Sequence, residues 1–332
     1  MSDIGSTEIT DYDNQLSLPY KNFTRLEEFN QPVEIDQWTQ YILWPVAVFI
    51  AFETILLLSV IYRSKKLRTP SNILVFSLLV SDFFNGSVLL PMILVLGLVH
   101  PFINPAIMFV LSSSFLNVMA CSLDRFLGVR FALSYQNFVT NHRLKLALVV
   151  IWLSSTILCT LPKIMGPRYE NTFHFRRIYI SAIIISIILM IVVVICIYVY
   201  IFMEITRQLK FITGNHVENI TDKQPRNGHR KNLKENFRSA ATILSLTLNF
   251  FVCWFPLIYI NLMADVVGRP DLVPSFLLDM SLHTIFLSSL MNPLLYGYRQ
   301  RTVRKTLRNL VLSTSPKKER SFDNTAPKRV SV

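Results

Sequence analysis

Seven stretches of the chain are apolar along nearly their whole length, and polar, mostly basic segments separate them. They run over about 38–63, 70–98, 102–129, 144–165, 178–206, 239–264 and 272–297. A helix crossing a hydrocarbon core of about 30 Å needs about 20 residues at about 1.5 Å each, so every stretch predicts a membrane-spanning helix. From Phe83 to Leu123 there is no Asp, Glu, Lys or Arg. That run is too long for one helix. It breaks at "VHPFINP" (99–105), where two prolines and Asn104 predict a turn. The most apolar span is 178–203, "IYISAIIISIILMIVVVICIYVYIFM".

An odd number of spans puts the termini on opposite sides. The segments 63–68, 125–145, 204–238 and 299–332 together hold 26 of the 33 Lys and Arg, while residues 1–37 hold eight acids against Lys21 and Arg25. Basic loops stay cytoplasmic, so the N-terminus is expected outside and the C-terminus inside, in a multi-pass plasma-membrane protein. The loop 163–177, with Lys163, Arg168, Arg176 and Arg177, runs against this pattern. The expected organisation is an extracellular tail (1–37), a seven-helix domain (38–297), an amphipathic segment (298–310) and a disordered cytoplasmic tail (311–332). On the outside, Asn22 in Asn22-Phe23-Thr24 becomes a glycosylation acceptor.

Composition changes this picture little. Of 332 residues 52% are hydrophobic and 16% charged, against roughly 25% charged in soluble domains; the mean hydropathy is +0.41. The net charge of +12 sits at the flanks of apolar spans, which suits a lipid bilayer and not nucleic acid. Cys121, Cys159, Cys196 and Cys253 all fall inside spans, so no extracellular disulfide and no metal-binding spacing is expected. The six His do not cluster with Cys or acids in a catalytic pattern, so no enzyme is expected. No internal repeat supports a transporter.

Glu53 and Asp82 lie within spans, and Asp124 and Arg125 at a span margin. A central charge costs on the order of 2.5–3.5 kcal/mol on insertion scales, which makes each a functional candidate. Pro91, Pro162, Pro256 and Pro293 interrupt four spans and remove backbone donors.

The motifs carry a family. "LRTPSN" (67–72), "SLLVSD" (77–82), "DRF" (124–126), Trp152, Tyr198, "CWFP" (253–256), "NPLLY" (292–296) and the basic "YRQRTVRKTLRNL" (298–310) come in order, one to a helix or its end. The chain resembles the rhodopsin-like (class A) G-protein-coupled receptors. "FET" (52–54), Met190, "FALSYQNFVT" (131–140), Asn261 and "YGYR" (296–299) resemble the melanocortin, adenosine, cannabinoid and lysophospholipid group within it.

The resemblance implies an all-α seven-helix bundle with a short eighth helix. Its implied partners are a heterotrimeric G protein, an arrestin-like protein and an extracellular ligand. It implies coupling and switch roles for Asp124, Arg125, Phe126, Tyr198, Phe250, Trp254, Pro256, Asn292, Pro293 and Tyr296. Sequence neighbours on a helix do not face each other, so Arg125 needs a second acceptor in addition to Asp124. Relatives often place an acid at the position of Asn236; Glu235 is adjacent and is expected to act as a loosened latch. The resemblance also implies an allosteric sodium ion at Asp82, Ser114, Ser288, Ser289 and Asn292, an all-oxygen set that suits a hard cation. The pocket implied by motif spacing is Ile107, Met108, Leu111, Leu257, Ile258, Asn261, Leu282 and Phe286.

Ile107 stands where amine receptors carry Asp, and Phe286 where opsins carry the retinal Lys. The expected ligand is therefore a neutral or lipid-like small molecule or a peptide, with Asn261 as its polar contact and no retinal. A constitutively active or ligandless receptor is the alternative reading, and a transporter a remote one. The terminal Val330-Ser331-Val332 fits a PDZ ligand.

Overall fold

The computed structural model describes residues 37–64, 67, 69–98, 100–131, 134–165, 173–214 and 224–314. Of these, 173–174, 209, 211–214, 224–236, 301–302 and 310–314 are described by their backbone alone. Asn22, Arg168 and the terminal Val330-Ser331-Val332 lie outside the described residues, and so does the side chain of Glu235.

Among the described residues eight helices of 14 or more residues follow one another. They are α1 (Gln37–Arg63), α2 (Pro70–Leu96), α3 (Ile103–Arg130), α4 (Asn141–Ile164), α5 (Phe173–Gly214), α6 (Gln224–Asn261), α7 (Ser275–Arg299) and α8 (Arg301–Thr314). No strand occurs among the described residues. Six of the helices are long and apolar enough to cross a membrane by length and composition. The seventh, α7, is 25 residues long but carries Asp279, His283, Asn292 and five serines and threonines, which dilute its hydropathy; of these Ser281, Ser288, Ser289 and Asn292 are buried in the bundle. The fold is an all-α seven-helix membrane bundle.

Local chemistry sets the helix ends. Thr69 accepts the backbone N–H of Asn72 at 3.4 Å, with Pro70 opening α2, and Thr140 accepts that of Arg143 to start α4; both are N-caps. Inside α2, residues Asn85–Leu89 form a π-helical turn. Pro91 follows directly, so the irregularity falls where its ring would otherwise crowd the preceding carbonyls. Helix α5 runs beyond its apolar span at its C-terminal end, to Gly214, and α6 at its N-terminal end, from Gln224. Hydropathy marks where lipid ends, whereas helical hydrogen bonding continues into water.

The bundle is apolar outside and partly polar inside. Val48, Phe52 and Ile55 of α1 and Ile185, Ile188 and Val192 of α5 face outward, while Ser81, Asp82, Asn85, Ser113, Asn117, Ser288 and Asn292 are buried. Lipid supplies no contrast that would drive apolar faces together, so packing and buried hydrogen bonds hold such helices. Helices α2, α3 and α7 occupy the centre. Helix α4 is peripheral and has only Leu144, Ile151 and Ser155 buried; Trp152 ties it in by donating Nε1–H to Ser77 at 3.1 Å. Helix α8 tucks Val303 and Leu307 against the core while Arg304, Lys305 and Arg308 stay exposed.

Candidate functional site

Four linked groups run along the bundle, from the end where α3 finishes to the end where α6 finishes. At the bottom, Arg125 donates to the Asp124 carboxylate through Nε (3.1 Å) and Nη2, and through Nη1 to the hydroxyl of Ser239 on α6 at 2.7 Å. Ser239 is thus the second acceptor that Arg125 requires. Glu235, the expected latch, has its side chain outside the described residues, and Ser239 was not among the expected residues because a hydroxyl carries no charge signature. Asp124 also receives hydrogen bonds from Ser71 of α2 and from Tyr135 in the short helical turn Tyr135–Phe138. Burial, and then the bond to Asp124, push the Tyr135 phenol up to about 12, so at neutral pH it is a donor. Phe126 packs edge-on against Tyr200, with ring centroids 5.2 Å apart.

Two tyrosines stand near this end with different partners. Tyr198 of α5 lies 3.5 Å from the Ser122 hydroxyl, while Tyr296 of α7 donates to Asn72 Oδ1 at 2.9 Å. Asn72 in turn donates to the Leu67 carbonyl. Tyr296 is therefore fastened to α2 and held away from the α5 side.

Above them lies a polar core around Asp82, which is 1% exposed. Its Oδ1 accepts from Ser289 (3.1 Å) and Asn292 (3.0 Å), and its Oδ2 from Asn292 (3.1 Å). Asn292 Oδ1 accepts from Asn249 of α6 at 2.9 Å, and Asn249 also donates to the Ser288 carbonyl. Asn249, absent from the sequence-based set, joins this core directly to α6.

The oxygens present suit the sodium ion that the resemblance implies only in part. Asp82 and Ser289 touch, whereas Ser114 is bonded to Ser81 at 2.8 Å and Asn292 turns donors, not its oxygen, to Asp82. Asp82 and the Ser289 hydroxyl are the oxygens brought together that would hold the ion.

The next layer is aromatic. Trp254 and Phe250 are each 1% exposed, with centroids 5.8 Å apart, and Phe250 meets Phe115 of α3 at 6.4 Å. Met190 of α5 is buried in the same core. Pro256 lies two residues beyond Trp254 inside α6, and Pro293 follows Asn292 inside α7. Both helices thus lack a backbone donor next to their packed side chains.

Above this layer a cavity of about 530 Å³ opens between α1, α2, α3, α6 and α7. Of the residues expected at a pocket, Ile107, Leu257, Leu282 and Phe286 line it; Met108, Leu111, Ile258 and Asn261 are not among its lining residues. Asn261 donates to the Leu257 carbonyl one turn back on its own helix. The polar atoms of the wall come instead from Thr39, Asp279, Ser281 and His283. At this end of the bundle, the π-helical turn Leu262–Val267 that extends α6 carries Asp265, which pairs with Arg176 of α5 at 2.8 Å and 3.3 Å.

The family of 7 transmembrane receptors (rhodopsin family) matches residues 53–296. The chain belongs to the rhodopsin-like G-protein-coupled receptors. Among similar proteins, human adenosine receptor A2a is 22% identical over 316 residues, 83% of this chain and 73% of that one. Mouse melatonin receptor type 1A is 25% identical over 293 residues, 82% and 79% of the two chains. Human G-protein coupled receptor 161 is 25% identical over 325 residues, 86% and 61%. The receptor is thus a multi-pass membrane protein that signals through G proteins, and an extracellular ligand is its other implied partner.

Proposed function

We propose that this receptor sits in the plasma membrane with its N-terminus outside, glycosylated at Asn22, and is switched by a small, mostly apolar ligand in the cavity above Trp254. The observation that carries this is the cavity itself. Its wall is mainly aliphatic and aromatic, and Leu257 stands one helical turn from Trp254. A ligand pressing on Leu257 and Phe286 bears on the aromatic layer, whose repacking moves α6 at Pro256. The polar contact for the ligand is the wall of Thr39, Asp279, Ser281 and His283. Adenosine and melatonin receptors being similar chains, small aromatic molecules belong in the first trial set beside lipids.

In the resting receptor Arg125 is held by Asp124 and Ser239; release of α6 frees it for the G protein. A sodium ion at Asp82 favours that resting packing. Ser313, Thr314, Ser315 and Ser321, once phosphorylated, add negative charge for an arrestin-like protein, and Val330-Ser331-Val332 offers a strand to a PDZ domain.

The test is a compound panel read through a promiscuous G protein, repeated with Phe286→Ala and Leu257→Ala. An agonist whose potency falls tenfold or more in both variants, with surface expression unchanged, supports the cavity. An agonist indifferent to both places the ligand elsewhere.

A further inference from the structure

The polar side of the ligand cavity has a one-sided chemistry. Apart from Thr39 of α1, its polar side chains all come from α7: Asp279, Ser281 and His283. Each can accept a hydrogen bond, and each has its donor engaged or lacks one. The Ser281 hydroxyl donates to the Leu278 carbonyl at 2.7 Å. His283 Nδ1 lies 2.8 Å from the Asp279 carbonyl. A carbonyl only accepts, so Nδ1 carries the proton, and Nε2 of the neutral ring is left as an acceptor. The Asp279 carboxylate accepts through both oxygens and donates through neither.

Charge points the same way. No Lys or Arg lines the cavity, and the ion pairs of the described residues do not include Asp279. Cations at this end of the bundle are engaged elsewhere: Arg176 with Asp265, Arg269 with Asp271, and Lys163 over the Phe102 ring at 4.2 Å. Ile107 gives α3 no charge to offer. Asp279 and His283 are both exposed, and residues four apart share one face of a helix. Carboxylate and imidazole therefore stand side by side, open to a molecule in the cavity.

The two ends of the cavity differ. Phe286, which is 1% exposed, lies two turns further along α7 than Asp279, about 10 Å at about 1.5 Å per residue. With Leu257 and Ile285 it makes an apolar end. A ligand that satisfies both ends is apolar at Phe286 and, about 10 Å away, carries positive charge and several N–H donors. An ammonium brings three donors and no acceptor, a hydroxyl one donor, and a carboxylate none. We propose that the ligand of this cavity is a cationic amphiphile, an alkyl- or arylalkylamine whose ammonium is held by Asp279 and His283 while its apolar end reaches Phe286. This rests on the cavity being the ligand site and adds the charge and the orientation of what fills it.

The test is thermal unfolding of the purified receptor with matched homologous series: phenylalkylamines, the corresponding phenylalkanols and the corresponding phenylalkanoic acids. Binding raises the midpoint. At least one amine should do so at a half-maximal concentration about tenfold or more below that of its alcohol, and the acids should give no shift. Asp279→Asn should bring amine and alcohol together, and Asp279→Lys should reverse the order in favour of the acid. Phe286→Ala should weaken amine and alcohol alike. Amines no better than alcohols overturn the proposal; if Phe286→Ala still weakens both, the cavity stands as the ligand site without it. An amine shift that Asp279→Asn leaves unchanged also overturns it. So does the absence of a shift with every amine, in which case the agonist potencies in Phe286→Ala and Leu257→Ala judge the cavity separately. The position is exposed, and the midpoint without ligand shows whether each variant folds; should Asp279→Lys not fold, Asp279→Asn decides.

Discussion

At its C-terminal end α6 is joined to α5 by a charge pair, Arg176 with Asp265, held through two contacts. At its N-terminal end it is joined to α3 by one neutral hydroxyl, Ser239, against Arg125. The anion that balances Arg125 sits on α3 itself, so the charge attraction below does nothing to hold α6. The charge attraction above does. Between the two ends Asn249 ties α6 to α7, and Pro256 leaves a backbone gap. An ion pair thus joins α6 to α5 at its C-terminal end, whereas its N-terminal half is held by neutral hydroxyls, Ser239 accepting from Arg125 of α3 and Ser245 from Arg299 of α7.

Four substitutions break or sharpen this comparison. The largest effect belongs to Arg125→Ala. It removes the group on which the lower end converges, and ligand-driven G-protein activation should be lost while antibody staining at the cell surface stays normal. Ser239→Ala is next. A net hydrogen bond to a charged group contributes about 1.5–3 kcal/mol, so ligand-independent signalling should rise roughly tenfold or more in a cyclic-nucleotide or calcium assay. No rise would show that the hydroxyl does not hold α6.

Arg176→Met tests the upper end. It leaves the Asp265 carboxylate without its partner, at a cost of about 1 kcal/mol because Arg176 is 61% exposed and partly screened. The unfolding midpoint should fall by about 2–4 °C, while basal signalling changes less than in Ser239→Ala. Equal changes in basal signalling would remove the asymmetry. The smallest effect is Tyr135→Phe, which takes one of several donors from Asp124 and should raise basal signalling about twofold. The Tyr135 phenol, raised above its ordinary value of 10 to about 12, keeps its full contribution below pH 10 and loses it as pH rises toward 12. Basal activity should therefore show no loss of this contact between pH 6 and 9.

The helices were legible in the sequence because lipid imposes one crude demand, about 20 apolar residues, and the chain meets it repeatedly. The extensions of α5 and α6 beyond their spans were not, since residues 207–214 and 224–238 are largely polar and helical at once. Asp82, Asn292, Trp254 and Tyr296 could be placed because motifs name them. Ser239 and Asn249 could not, because a neutral polar side chain in a helix gives no sign of its partner before packing is known. Asp265 was missed for a different reason. It sits in the π-helical turn Leu262–Val267, whose register departs from the 3.6-residue period on which facing is read. The pocket was half legible. Asn261, expected as its polar contact, satisfies itself on its own helix, and Asp279 and His283 supply polar atoms from α7.

All four cysteines are free thiols, two of them buried. The N-terminal end of α5 and the C-terminal end of α6 are joined by a guanidinium and a carboxylate and not by a sulfur–sulfur bond among these residues. Such a joint does not respond to redox potential but does respond to ionic strength, which screens a half-exposed pair. Reducing agents should leave agonist potency unchanged where they would loosen a cross-linked relative, and concentrated salt should do here what a reductant does there.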